Sequence, residues 1–181
     1  MTGKQAALIN ELIDYLPAEE KHAYGEIMNY FAELGYFPQK QKVSDFTLTF
    51  KHNANKKVIG KVSVHRQKGC LRIKYFACMN VPEKYIKALY DEAVENENRY
   101  SREVPPPDNE PMPSNVIMKK CTLSCDACSG GSMRYYIRFP DGKAIFRCSA
   151  YPVLVPDITE NDIEDLKQVI LEQHNYFLSI A

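Results

Sequence analysis

The sequence predicts an α+β protein: an antiparallel sheet with helices on one face, preceded by an N-terminal helical hairpin. Three observations carry this. Apolar residues recur at helical spacing through residues 1–35. Alternation with period two replaces that spacing from Phe46 to Ala77. A helical segment opening with Val-Pro then follows each of two strand pairs.

In the first segment Leu8, Leu12, Tyr15 and Leu16 form one stripe, and Tyr24, Ile27, Met28, Phe31 and Leu34 form another. Pro17 separates the two helices, and Gly35 is a natural stop for the second. Next, FTLTFKH (46–52), KVIGKVSVH (57–65) and CLRIKYFA (70–77) read as three antiparallel strands joined by HNANK and RQKG. Phe46, Leu48, Phe50, Val58, Val62, Val64, Leu71, Ile73 and Tyr75 belong to the covered face. The helix VPEKYIKALYDEAVENENRY follows, with Asn80 and Glu83 spaced as a capping box. Five prolines between 105 and 113 make the next stretch a stiff linker. Beyond it, MRYYIRF and AIFRCSAY form a hairpin around PDGK, and VPDITENDIEDLKQVILEQHNYF forms a helix. The repeated order is a weak internal duplication of a strand–strand–helix unit. It implies that the second hairpin extends the first sheet. The expected division is 1–100, a Pro-rich linker at 101–115, and 116–181 packed with the first part as one compact unit.

Charge is balanced overall, with 23 basic and 23 acidic side chains, but it is segregated. Residues 36–75 hold ten Lys or Arg and one acid, Asp45, while residues 157–172 hold six acids and one Lys. Alternation turns Lys57, Lys61, Arg72 and Lys74 to the uncovered face of the sheet. Arg134 and Arg138 join them if the second hairpin extends it. Like charges opposed across strands cost stability, which an anionic partner offsets. That partner is a small anionic ligand or a single-stranded nucleic acid. The alternative is a solvated face, since exposed Lys keeps open sheets soluble.

The cysteines supply the other signal. Cys121, Cys125 and Cys128 lie within eight residues, and Cys148 follows across one hairpin. The spacing Cys121-x3-Cys125-x2-Cys128 resembles the cluster loop of the radical S-adenosylmethionine enzymes, which implies a [4Fe–4S] cluster. Those enzymes build a large barrel after the loop, whereas here only residues 129–181 follow, and Ala127 stands where an aromatic is usual. A structural zinc ion on Cys121, Cys125, Cys128 and Cys148 fits the sequence better than an Fe–S cluster, because a closed tetrahedral thiolate site needs short chelating loops. Thiol redox work by Cys125 and Cys128, or unconnected thiols, are the other readings.

The first residues, MTGKQAALINELIDYLP, are amphipathic and acid-containing, unlike an export signal. The expected place is the cytoplasm, with no membrane span. No phosphate loop, metalloprotease helix or nucleophile elbow occurs, so no enzyme class follows. His22 and His174 read as helical surface positions, and His52 and His65 as strand-end neighbours. The reading is a cytoplasmic binding or accessory module with structural zinc. The alternatives are binding of nucleic acid or a small anion on the basic face, and a thiol-redox or Fe–S protein.

Overall fold

The computed structural model describes residues 1–74, 81–95, 116–120, 133–138, 144–148 and 152–179. Helix α1 (Gly3–Asp14) opens on a capping box. Thr2 Oγ1 accepts from the Gln5 amide at 3.3 Å, and Gln5 Oε1 accepts from the Thr2 amide at 2.8 Å. Helix α2 (Ala18–Glu33) starts after Pro17, with Glu19 and Glu20 complementing its N-terminal dipole. Ile9, Leu12 and Leu16 from the first stripe, and Tyr24, Ile27, Met28 and Phe31 from the second, are buried. Tyr15 is a correction: α1 ends at Asp14, so Tyr15 is the C-cap and is 58% exposed. Gly35 ends α2 with φ +85, its amide donating to the Ala32 carbonyl at 3.0 Å.

The chain then enters β1 (Tyr36–Lys40), a strand that the alternation rule did not mark because Pro38 interrupts it. Its partner bonds explain why proline is tolerated. Asn53 donates to Gly35 and Gln41 donates to the Thr47 carbonyl, so odd-numbered residues face β2 and the missing Pro38 N–H falls on the open edge. The meander continues through β2 (Phe46–His52), β3 (Val58–His65) and β4 (Lys68–Ile73), as the sequence implies. A bulge at Phe50/Lys51 shifts the register, pairing Phe50 with Gly60 and Lys51 with Val58. Ile59 is therefore fully buried where strict alternation expected Val58. Leu48, Phe50, Val62, Leu71 and Ile73 are buried as expected.

Two compact units emerge, Met1–Tyr75 with Pro152–Ala181, and Phe76–Tyr151. The first holds a five-stranded antiparallel sheet in the order β1-β2-β3-β4-β8, where β8 is Val153–Val155. The second holds α3 (Glu83–Glu95) and a three-stranded antiparallel sheet of β5 (Val116–Lys120), β6 (Met133–Arg138) and β7 (Ala144–Cys148). The second hairpin thus does not extend the first sheet. It pairs with β5, and the place beside β4 is taken by β8. The expected linker at 101–115 and the capping residue Asn80 lie outside the described residues.

The last helix also starts later than its sequence implied. Val153 and Val155 are drawn into the sheet, and Asp157 turns the chain with φ 37. A 3-10 turn (Glu160–Asp162), capped by Thr159, then leads into α4 (Ile163–Ser179). Helix α4 packs against α2 and buries Ile163, Leu166, Val169, Ile170 and Phe177. Lys167 bridges the two helices, 3.0 Å from Glu26.

Helix α2 lies close on the β3–β4 hairpin. A Cβ at Gly69 would come within 2.5 Å of the Tyr24 ring and 2.7 Å of Glu20 Oε2, and that same carboxylate accepts the Gly69 amide at 2.7 Å. The hairpin turn is Arg66-Gln67, with φ 50 and φ 62. Positive φ at both central residues is the type I′ pattern that Asn-Gly adopts with little strain. For other L-residues the left-handed region costs roughly 1–2 kcal/mol each. Replacing the pair by Arg66→Asn with Gln67→Gly is therefore expected to stabilise the protein by about 1 kcal/mol or more. Gly69→Ala is expected to destabilise it by about 1–3 kcal/mol. Thermal melts of the two variants check both signs, and an unchanged midpoint for either rejects the corresponding account.

Candidate anion-binding face and a histidine pair

The first sheet has two unlike faces. Leu48, Phe50, Val62, Leu71 and Ile73 point to the helices, so their alternate neighbours point away. Across the sheet the second set forms a row, Gln39, Thr49, Lys61, Arg72 and Leu154, each opposite the next. Thr47, Ser63 and Cys70 form the adjoining row. Cys70 is half-buried and unoxidised.

Lys61 stands directly opposite Arg72. Two cations so placed repel, a cost of a few tenths to 1 kcal/mol at about 5 Å. Lys61 and Lys57 are exposed, and neither forms an ion pair among the described residues; the same holds for half-buried Lys51. Arg72 and Lys74 are half-buried and already engaged with partners of their own. Beside Lys61, the Thr49 hydroxyl is buried and makes no hydrogen bond among the described residues. A buried hydroxyl without a partner costs about 1–3 kcal/mol, so the row contains both an unneutralised cation and an unsatisfied polar group.

Of the six expected cations, Lys61, Arg72 and Lys74 keep the outward phase, whereas the bulge sets Lys57 opposite His52, whose amide donates to the Lys57 carbonyl at 2.8 Å, in the phase of the covered side. Arg134 and Arg138 belong to β6 of the other sheet, and their side chains lie outside the described residues. Cys121, Cys125 and Cys128 also lie outside the described residues. Cys148 ends β7 with its backbone opposite Arg134, its side chain likewise undescribed. Among the described residues no group of three or more His, Cys, Asp or Glu is placed to hold a metal, and no helix is long and apolar enough to cross a membrane.

The acidic C-terminal segment meets the basic one at Lys68 and Asp157, 2.6 Å apart. Its helix, α4, packs with α2 on the covered side of the sheet.

At one end of that covered side the fold assembles a cluster that sequence reading missed. His52 and His65 are not neighbours. The antiparallel ladder sends them to opposite ends, where His65 Nδ1 lies 3.1 Å from Asp45 Oδ2. His52 instead meets Tyr36, its cross-strand partner, with ring centroids 4.9 Å apart at 65°. His174, from the last turns of α4, lies 6.0 Å from the His52 ring and 5.6 Å from the Tyr36 ring. The Tyr36 hydroxyl is 3.3 Å from His174 Nδ1. His52 Nδ1 accepts from the amides of Ala54 and Asn55, both at 3.3 Å, which places the proton of the neutral ring on Nε2. The chain turns tightly here, since a Cβ at Gly35 would come 3.1 Å from His52 Nε2. No local signal marks this group, because its three members are separated widely in sequence.

Burial, followed by the field of His52, holds the His174 imidazole below its ordinary pKa, and burial pushes the Tyr36 phenol up. The sign for stability follows from linkage. The folded protein binds its His174 proton less readily than the unfolded chain, so this contribution is present above the unfolded value near 6.5 and is lost as pH falls through and below it. Urea melts between about pH 7 and about pH 5 are expected to show falling stability, with a shallower slope for His174→Gln. An equal slope in both proteins rejects the assignment.

No family model, no curated protein and no solved structure matches this chain.

Proposed function

We propose that this protein is a binding or accessory module whose basic sheet face takes an anionic ligand, with zinc on Cys121, Cys125, Cys128 and Cys148 stapling its second unit. The observation that supports the first part most directly is Lys61. It is exposed, opposed by Arg72 and flanked by the buried Thr49 hydroxyl, and no acid among the described residues pairs with it. An anion at this row would relieve the cationic repulsion. Lys51, in phase with Thr49, extends the same positive field.

The zinc proposal rests on spacing. Cys125-x2-Cys128 is a chelating pair, Cys121 precedes it by four positions, and Cys148 closes a strand of a sheet with only three members. A small sheet has little apolar surface to bury, and a metal staple is a common remedy. With four thiolates and no open position the ion would be structural.

For the anion, fluorescence anisotropy with a short single-stranded oligonucleotide at two salt concentrations is the test, with inorganic polyphosphate in parallel. Affinity is expected to fall steeply with salt. Lys61→Gln is expected to lower the salt slope by about one. The position is exposed, so stability should change by under about 0.5 kcal/mol. No binding of either polyanion at low salt rejects the basic-face reading. For the metal, protein purified without chelator is expected to carry about one zinc per chain, lost together with thermal stability in Cys125→Ser with Cys128→Ser. Iron in place of zinc, or no metal and an unchanged melt, rejects the zinc site.

A further inference from the structure

At the end of the first sheet opposite His52, the C-terminus of α1, the end of β1, the 41–45 loop and the β3–β4 turn surround an open groove of about 440 Å³. That is within the range of small-molecule sites, about 300–1,000 Å³. Its apolar part is aromatic. Tyr15 and Phe46 lie with centroids 5.6 Å apart at 34°, and more than half of Tyr15 is exposed. Val43, in the same lining, is 61% exposed. A tyrosine at the end of an otherwise buried stripe, left open beside a second ring, is an unused stacking surface.

The charges of the groove sort themselves by commitment. Lys40 Nζ lies 4.0 Å from the Phe46 ring centre and 3.0 Å from Glu11. Asp45 is held by His65. Arg66 is exposed and makes no ion pair among the described residues, so the lining offers an anion one guanidinium without a carboxylate partner. Arg66 also sits on the left-handed turn, beside Gln67, where Asn-Gly would be less strained. The fold therefore carries backbone strain at the one place where a guanidinium and an amide are held over the groove. Such outliers cluster at binding sites.

We propose that this groove binds a planar aromatic phosphate of the nucleotide type. Its ring stacks on Tyr15, and its phosphate pairs with the planar guanidinium of Arg66, whose donors match phosphate oxygens. Gln41, Ser44 and Gln67 offer amide and hydroxyl groups to the ring edge. Neither Lys61 nor Arg72 lines the groove, so this site is independent of the basic face.

The test is a titration of the full chain with adenosine 5′-monophosphate, with a short oligodeoxyadenylate and with inorganic phosphate. Calorimetry gives affinity, and amide NMR gives location. Saturable binding of the aromatic phosphates is expected, with shifts confined to the groove lining and its chain neighbours, at Tyr15, at residues 40–46 and at residues 64–68. Tyr15→Ser and Arg66→Gly should each weaken binding of adenosine 5′-monophosphate at least about tenfold, while Lys4→Gln, exposed in the first turn of α1 and outside the groove lining, leaves it unchanged. Arg66→Gly should also raise the melting temperature by relieving the turn, which separates lost recognition from lost folding. Read at the groove amides in Lys61→Gln protein, where the basic face is weakened, tighter binding of the oligonucleotide identifies single-stranded nucleic acid as the source of the ligand, and equal affinity identifies the free nucleotide. Inorganic phosphate binding as tightly as the nucleotide, no saturation by either aromatic phosphate, or wild-type affinity in both groove variants overturns the proposal.

Discussion

The first unit depends on the short ladder between β4 and β8. Leu71, Arg72 and Ile73 pair with Val155, Leu154 and Val153, although about 80 residues of chain separate the two strands. Closing a flexible loop of that length costs roughly 2–3 kcal/mol more than a four-residue turn, since each doubling adds about 0.6 kcal/mol. Val153 and Val155 are fully buried in return, each worth about 1.5–3 kcal/mol. Burial outweighs closure, and the intervening residues lower the closure cost further by forming a sheet of their own. Once β8 is seated, α4 is delivered to the helix side, where it supplies Leu166, Val169, Ile170 and Phe177 to the core and His174 to the histidine pair.

Close approach of α2 to the sheet is the second constraint, and glycine permits it. A Cβ at Gly60 would lie 3.0 Å from the Arg72 carbonyl and 3.1 Å from Phe31, and one at Gly69 would overlap Tyr24. With hydrogen there instead, Phe31 reaches Phe50 at 4.9 Å and Glu20 caps the Gly69 amide. The Tyr24 phenol becomes so buried, beside Glu20, that its pKa is pushed far up. It is a packing group of this core and not a proton donor at neutral pH.

Packing all three helices of the first unit on one side leaves the other side to polar chemistry. The acids of the C-terminal segment go with α4 to the helix side, and among the described residues none pairs with Lys61. The same separation acts at the sheet ends. One end gathers rings and imidazoles around Tyr36, and the other gathers Tyr15, Phe46 and a cation-bearing turn. These places differ in burial, and hence in what each can do. His174 is partly desolvated and responds to protons, whereas Lys61 and Arg66 stay hydrated and respond to anions and salt.

Sequence by itself determined what periodicity and local stops can encode. The α+β class, the two N-terminal helices with their break at Pro17 and stop at Gly35, strands β2 to β4, and the outward phase of Lys61 and Arg72 were legible, because side-chain direction in a strand or helix follows from local spacing. Tertiary structure decided the rest. Strand β1 was masked by Pro38, which an edge position tolerates, and Ile59 displaced Val58 because a bulge breaks alternation. The second hairpin was equally compatible by pattern with the first sheet, but an edge accepts one partner, and β8 occupies it. Tyr36, His52 and His174, and likewise Tyr15, Phe46 and Arg66, carry no mutual signal in the chain. They come together only because strand register and helix return are set by competition for buried surface, which no local window contains.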